Sequence, residues 1–356
     1  MKRGFALILS ITLVLSIFMS IFLVAPVLAS GPTAYTLIQT GFTINPSDPG
    51  VSIENGSIIH HYMNGEVEIL NPSGIITMRA KDSSSGLVLT PEGMKKADDV
   101  YMIPNHANVA TSSDGHVTKV FDKNNQLVLT IIDDRPISQI NNNHTNVSIP
   151  QGNGNILETC YSTNVQQFLA YFTVPTPPQN SNDIDAYWSG IQDNSNSLYF
   201  IQSCVMWNNV IGGTWSIASC QTSGNGILMS NVVPVSQGQT ICFEQVYYNG
   251  SWEVITFDEN SGLGSWANET GLGETNDSIY TSLETYDIIN GFAYPGTNPT
   301  DMPGSDLATS VTLFQSNGAS APISWAEINP YGIPLSTAQV TWDTNAGSWI
   351  YFNTHH

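Results

Sequence analysis

Between Pro136 and His356 the chain runs 221 residues without a lysine or an arginine, while carrying 17 aspartates and glutamates. Histidine in that stretch is confined to His144 and the terminal pair His355 and His356. A Ser-His-Asp triad, a Cys-His pair, an H-E-x-x-H zinc site or a lysine Schiff base therefore cannot be assembled inside it. Borrowing His60, His61, His106 or His116 would require a site between two regions of the chain. No glycine-rich phosphate loop occurs. Chemistry in this stretch must use carboxylates as acid or base, with neutral amides or hydroxyls holding developing charge. Two options remain on an all-β scaffold: glycoside cleavage by paired carboxylates, or peptide hydrolysis in acid by a carboxylate-activated water.

The elements that must position such groups read as strands. Residues 65–70, 74–78, 87–89, 116–121 and 126–132 alternate apolar and polar side chains between turn signals such as Asn55-Gly56 and Asp122-Lys123-Asn124-Asn125. A polar, Asn-rich, aperiodic stretch over 136–154 reads as a linker. Beyond it the pattern predicts strands over 168–174, 186–191, 198–207, 240–248, 251–257, 279–289, 307–314, 323–328, 339–343 and 349–352. Asn249-Gly250 joins two of them as a hairpin. No window holds helical periodicity over three turns, and no internal repeat is present. Many short strands at this spacing predict a β-sandwich or barrel.

The whole chain has 356 residues, with 9 Lys+Arg against 29 Asp+Glu and a formal net charge of −20. So few cations argue against a nucleic-acid partner and against docking on anionic lipid. All nine cations lie at or before Arg135. A domain without fixed cations loses nearly all its charge once its carboxylates protonate below about pH 4, so the arrangement reads as adaptation to acid.

Met1-Lys2-Arg3 and the apolar run that follows, ending Ala25-Pro26-Val27-Leu28-Ala29, read as a secretory signal cleaved after Ala29. The expected division is a signal peptide over 1–29, a β-rich N-terminal region over 30–135, the linker over 136–154 and the main domain over 155–356. Secretion is the expectation, with no membrane association after cleavage. Six N-x-S/T sequons (Asn55, Asn143, Asn146, Asn249, Asn268, Asn276) point to a glycoprotein. Cys160, Cys204, Cys220 and Cys242 suggest two disulfides in an exported chain, with Cys204–Cys220 closing the shortest loop. A zinc site is the alternative for these cysteines, without a C-x-x-C pair to support it. No cofactor is expected.

Four segments carry a resemblance. Ala170-Tyr171-Phe172-Thr173-Val174-Pro175 is followed by Tyr187-Trp188-Ser189-Gly190-Ile191, then Leu198-Tyr199-Phe200-Ile201-Gln202-Ser203, and later Ser282-Leu283-Glu284-Thr285-Tyr286-Asp287. In that order they resemble the glutamic peptidase (eqolisin) family, over about residues 157–342. The resemblance implies a concanavalin A-like or jelly-roll sandwich of two antiparallel sheets. It implies Glu284 as the base that activates water, Gln202 as the oxyanion donor, Trp188 lining a substrate cleft, and a polypeptide substrate. It also implies that 30–135 is a propeptide released in acid; a stable accessory β-domain is the rival reading. Cys204 and Thr285 depart from the family's Gln-Thr-Gly and Glu-Trp patterns, which leaves room for a divergent or purely binding relative. Two other functions follow from the residues. One is a lectin-like module stacking sugars on Trp188, Trp207, Trp215, Trp252 and Trp266. The other is a glycoside hydrolase pairing Glu284 with Glu244 or Asp287.

Overall fold

Ser251–Asp258 shows how this sequence makes a sheet with two different faces. Trp252, Val254 and Thr256 point inward and are buried, while Ser251, Glu253, Ile255 and Phe257 alternate outward. The turn before it, Asn249-Gly250, has φ of 52° and 84°, the pair of left-handed residues that a two-residue hairpin requires.

The computed structural model describes residues 34–36, 51–81, 87–90, 93–137, 155–163, 165–180, 183–193, 200–207, 213–270, 277–289, 292–295, 303, 307–315, 317–328 and 339–353. The expected signal peptide, and the expected linker beyond Ile137, lie outside them.

In the first part of the chain the strands are β1 (Ala34–Thr36), β2 (Val51–Ile53), β3 (Ser57–His61), β4 (Glu66–Leu70), β5 (Ile76–Lys81), β6 (Leu87–Thr90), β7 (Gly93–Lys96), β8 (Val100–Ile103), β9 (Ala107–Thr111), β10 (Val117–Phe121) and β11 (Leu127–Asp133). Next come β12 (Asn155–Thr163), β13 (Gln167–Thr173), β14 (Ile184–Asp193), β15 (Phe200–Trp207), β16 (Trp215–Ser223), β17 (Gly226–Val235), β18 (Thr240–Tyr248) and β19 (Ser251–Asp258). The chain closes with β20 (Leu263–Glu269), β21 (Asp277–Ile289), β22 (Phe292–Pro295), β23 (Leu307–Phe314), β24 (Ser320–Ala321), β25 (Ala326–Ile328), β26 (Gln339–Trp342) and β27 (Trp349–Asn353).

The expected all-β sandwich is what forms. One sheet runs β2-β1-β8-β17-β16-β15-β14-β21-β12-β25, and the other runs β26-β27-β23-β13-β18-β19-β20-β9-β10-β11-β3-β4-β5. Pairing is antiparallel except at β8–β17, β9–β20 and β3–β11, so the sheets are mixed rather than purely antiparallel. The first two of these pairs join strands from the first part of the chain to both sheets of the sandwich. Between the sheets lies a core that includes Phe168, Phe172, Tyr187, Ile201, Trp252, Leu283, Ile350 and Phe352. A second core, with Ile59, Ile69, Tyr101, Val109 and Leu129, takes in Leu228 of β17.

Arg135 ties the second core down electrostatically. Its Nη2 donates to Asp99 Oδ1 at 2.6 Å and to Asp133 Oδ2 at 2.7 Å, and its Nε donates to Asp133 Oδ1 at 2.8 Å. Asn225, in the β16–β17 turn, adds a bond from Nδ2 to Asp133 Oδ2 at 3.1 Å. Burial pushes the Asp133 carboxyl up, but the Arg135 and Asn225 hydrogen bonds and the guanidinium charge outweigh it and hold the group below the usual carboxylate range.

Candidate functional site

Residues paired across neighbouring strands share a face, so register decides which side chains can meet. Gln202 pairs with Gly190 on one side and Cys220 on the other. Gly190 pairs in turn with Tyr280. Gly190 leaves the space that Gln202 fills: a Cβ there would come within 2.8 Å of Gln202 Cγ and 2.6 Å of the Ile201 carbonyl oxygen. Trp188, Cys204 and Ser282 form the next row. Glu284 lies one row further, opposite Ala186. Gln202, Trp188 and Glu284 thus sit on strands of one sheet, but Glu284 is four residues along β21 from Gln202's row, about 13 Å at the usual rise per residue.

The Gln202 face points away from the sandwich core. The core takes the alternate residues Tyr187, Ile191, Ile201 and Val205. The outward side chains are nonetheless closed in. Trp188, Phe200, Cys204 and Met206 are buried, and Gln202 is 1% exposed. Both edges of β14 are hydrogen-bonded, to β15 and β21, and its inner face packs on the second sheet. β6 also comes close to β14. Phe200 packs edge-on against both Trp188 and Tyr280, with ring centroids 5.4 Å and 5.9 Å apart. Gln202 Nε2 and Oε1 have no hydrogen-bond partner, and the same holds for buried Gln192 on the neighbouring strand. Each such orphaned group costs about 1–3 kcal/mol.

The other expected site residues fall as follows. The buried thiols of Cys204 and Cys220 are 3.5 Å apart across β15 and β16, without a disulfide bond between them. Cys160 lies on β12 of the first sheet and Cys242 on β18 of the second. Cys242 shares a hydrogen bond with Tyr171, and burial pushes its thiol up to about 12, which leaves it protonated and unreactive near neutrality. Glu244 is also on β18, so no pairing with Glu284 arises. Asp287 is three residues beyond Glu284 on β21. Burial pushes Glu244 upward against an opposing hydrogen bond from Gln167 Nε2, at 2.5 Å. Burial, and then the Glu244 charge, push Glu253 upward too.

Of the five tryptophans expected to stack sugars, four are closed off from solvent. Trp188, Trp207, Trp215 and Trp252 are buried, and Trp266 is half-buried and stacked on the His106 ring at 4.9 Å. Inward-facing strand positions select the largest apolar side chains, and that is where these residues fall or where neighbours cover them.

Sequence reasoning missed a different surface. On the outer side of the second sheet Tyr171 pairs with Ser310 and Ser310 with Trp349, forming one row across β13, β23 and β27. Tyr351 and Thr341 pair in the adjacent row. These side chains, with Thr173, line a groove of about 640 Å³. Trp349 is 45% exposed and Tyr171 37%. The only local signal in the sequence was the outward alternation of Trp349 and Tyr351 in the last strand.

No protein-family model and no curated protein matches the chain. Among solved structures it is similar to scytalido-glutamic peptidase bound to a peptide-based transition-state analog, at 12% identity over 57% of this chain and 98% of that one, with a TM-score of 0.41. It is also similar to SCP-B, a member of the eqolisin family of peptidases in complex with the tripeptide Ala-Ile-His, at 12% identity over 57% and 98%, TM-score 0.39. A toad ovary galectin with thio-digalactose matches at 10% identity over 43% and 98%, TM-score 0.24. At such identities and TM-scores these likenesses assign no role to any residue.

Proposed function

We propose that the chain is an exported, acid-tolerant β-sandwich that recognises a ligand by binding it, without hydrolysis by Gln202 and Glu284. One observation carries this reading: Gln202 is sealed on its sheet face, and the residue that register brings level with it is Tyr280. A general base and an oxyanion donor must both reach one reacting carbon, within hydrogen-bond distances of about 3 Å. An offset of about 13 Å along the strands does not allow that.

Glutamic-type peptidase activity is the second reading, and one observation favours it. Gln202 keeps both amide atoms unpaired, as a group awaiting an oxyanion would. The dyad would then require β21 to slide four residues past β14, breaking a ladder that pairs Ile184 through Asp193.

The strands before Arg135 are proposed to remain part of the working protein. Their removal would unpair β17 and β20 at the edges they share with β8 and β9. It would also bare Leu228, which packs in their core, and strip Asn225 of its Asp133 partner. These contacts support an integral extension of the sandwich over a propeptide released in acid.

The test is incubation of the full chain with a denatured protein from pH 2 to 7, read by mass spectrometry. Intact substrate at every pH is the expected result. Cleavage that disappears in Glu284→Gln would overturn the binding reading and restore the peptidase.

A further inference from the structure

From the outer groove of the second sheet we infer a binding site for a neutral saccharide, with Tyr171, Trp349 and Tyr351 as stacking surfaces and Thr173, Ser310 and Thr341 as hydrogen-bonding hydroxyls. This rests on the binding reading above and names its ligand class.

Three properties of the groove converge on that class. First, its rings stand on one sheet, Tyr171 on β13 and Trp349 and Tyr351 on β27 with β23 between them, the last two being two residues apart on their strand, about 7 Å. Rings held this way offer flat apolar surfaces to the C–H faces of a sugar, each with a polar tip at its edge. Second, the groove's polar groups are hydroxyls, which both donate and accept and so match a polyol. Third, among the described residues no Asp, Glu, Lys, Arg or His lines it, although the chain as a whole carries −20. Burial first, then the Cys242 thiol and last the Glu259 and Glu244 charges, raise the Tyr171 phenol well above its ordinary value. The phenol therefore stays a donor across the whole acid and neutral range. A groove with no charged side chain among its described lining residues, in negative surroundings, disfavours anions and offers a cation no partner. Its volume falls in the range of small-molecule sites, roughly 300–1,000 Å³.

The test is affinity electrophoresis of the full chain in native gels, each containing one soluble polysaccharide: hydroxyethyl cellulose, laminarin, galactomannan or dextran, with alginate as the anionic control. The expected result is retardation by at least one neutral polymer and none by alginate. Trp349→Ala and Tyr351→Ala should each weaken that retardation at least tenfold, with Trp349→Phe recovering part of it. A wild-type chain unretarded in all four neutral gels overturns the site, as does equal retardation of Trp349→Ala, or retardation by alginate as strong as by the neutral polymers. The denatured-protein assay, run on the same samples, separates the two readings. No retardation without proteolysis removes the saccharide site alone. Proteolysis lost in Glu284→Gln removes the binding reading, whatever the gels show.

Discussion

Arg135→Met should cost about 3 kcal/mol near neutral pH, because the substitution leaves Asp99 and Asp133 buried together without their cation. The loss should then shrink as the pH falls. Asp133 is held below its ordinary value in the fold, so its contribution is present above the unfolded value near about 3.9 and is lost as the pH drops through the folded value. Thermal unfolding of wild type and variant at pH 7 and pH 2.5 checks this: a wide gap at pH 7 and a narrow one at pH 2.5 are expected. An equal gap at both would mean that Arg135 acts by packing alone. Glu244 and Glu253 work in the opposite sense. Burial raises both, so their ionisation weighs against the fold, and stability declines as the pH rises from their unfolded value toward the folded one. Acid thus relieves the sandwich while it loosens the cluster around Arg135.

Gly347→Ala should cost about 3 kcal/mol and abolish saccharide retention together with it. Gly347 has φ of 65°, and a Cβ built there would overlap the Ile323 carbonyl oxygen, a backbone atom that cannot swing away. The left-handed conformation alone costs a side chain about 1–2 kcal/mol, and the forced displacement adds about 1–3. The turn also anchors the groove. Gly347 N–H donates to the Asp343 carbonyl at 2.9 Å, and Trp325 Nε1 donates to the Gly347 carbonyl at 3.1 Å. Trp349 follows two residues later, so a shifted turn moves the groove wall. Gly318→Ala is the control: its φ is 73° with nothing near the added methyl, so only about 1 kcal/mol is expected. Denaturant unfolding and gel retardation of the two variants make the comparison, and equal costs would contradict the steric argument.

Local signals carried the architecture because each strand encodes its own facing. Asn249-Gly250 turned where its dihedral preference demanded, and Trp252 between Ser251 and Glu253 went inward as a two-residue period requires. The same period, applied to Trp252 at the start, would have removed it from the sugar-stacking set. Relations between distant strands are another matter. Gln202 and Glu284 come in the order that the family resemblance suggested, yet what separates them in space is the register of β21 against β14. That register is set by a long ladder and by packing on the core, not by anything near either residue. The groove was hidden for a similar reason. Tyr171, Ser310 and Trp349 lie far apart in sequence and meet only because β23 is inserted between β13 and β27. The mixed pairing had no local signal either: β8 and β9 read as ordinary strands, and their parallel partners lie more than a hundred residues away.

The Gln202 face is closed and the outer face of the second sheet is open. Hydroxyl-radical footprinting of the full chain, with oxidation read per tryptophan by mass spectrometry at pH 7 and pH 3, measures both faces in one sample. Rapid labelling of Trp349 with protection of Trp188 at both pH values is the predicted result. Labelling of Trp188 at pH 3 as fast as Trp349 would contradict the account, because it would mean that acid opens the face on which Gln202 lies.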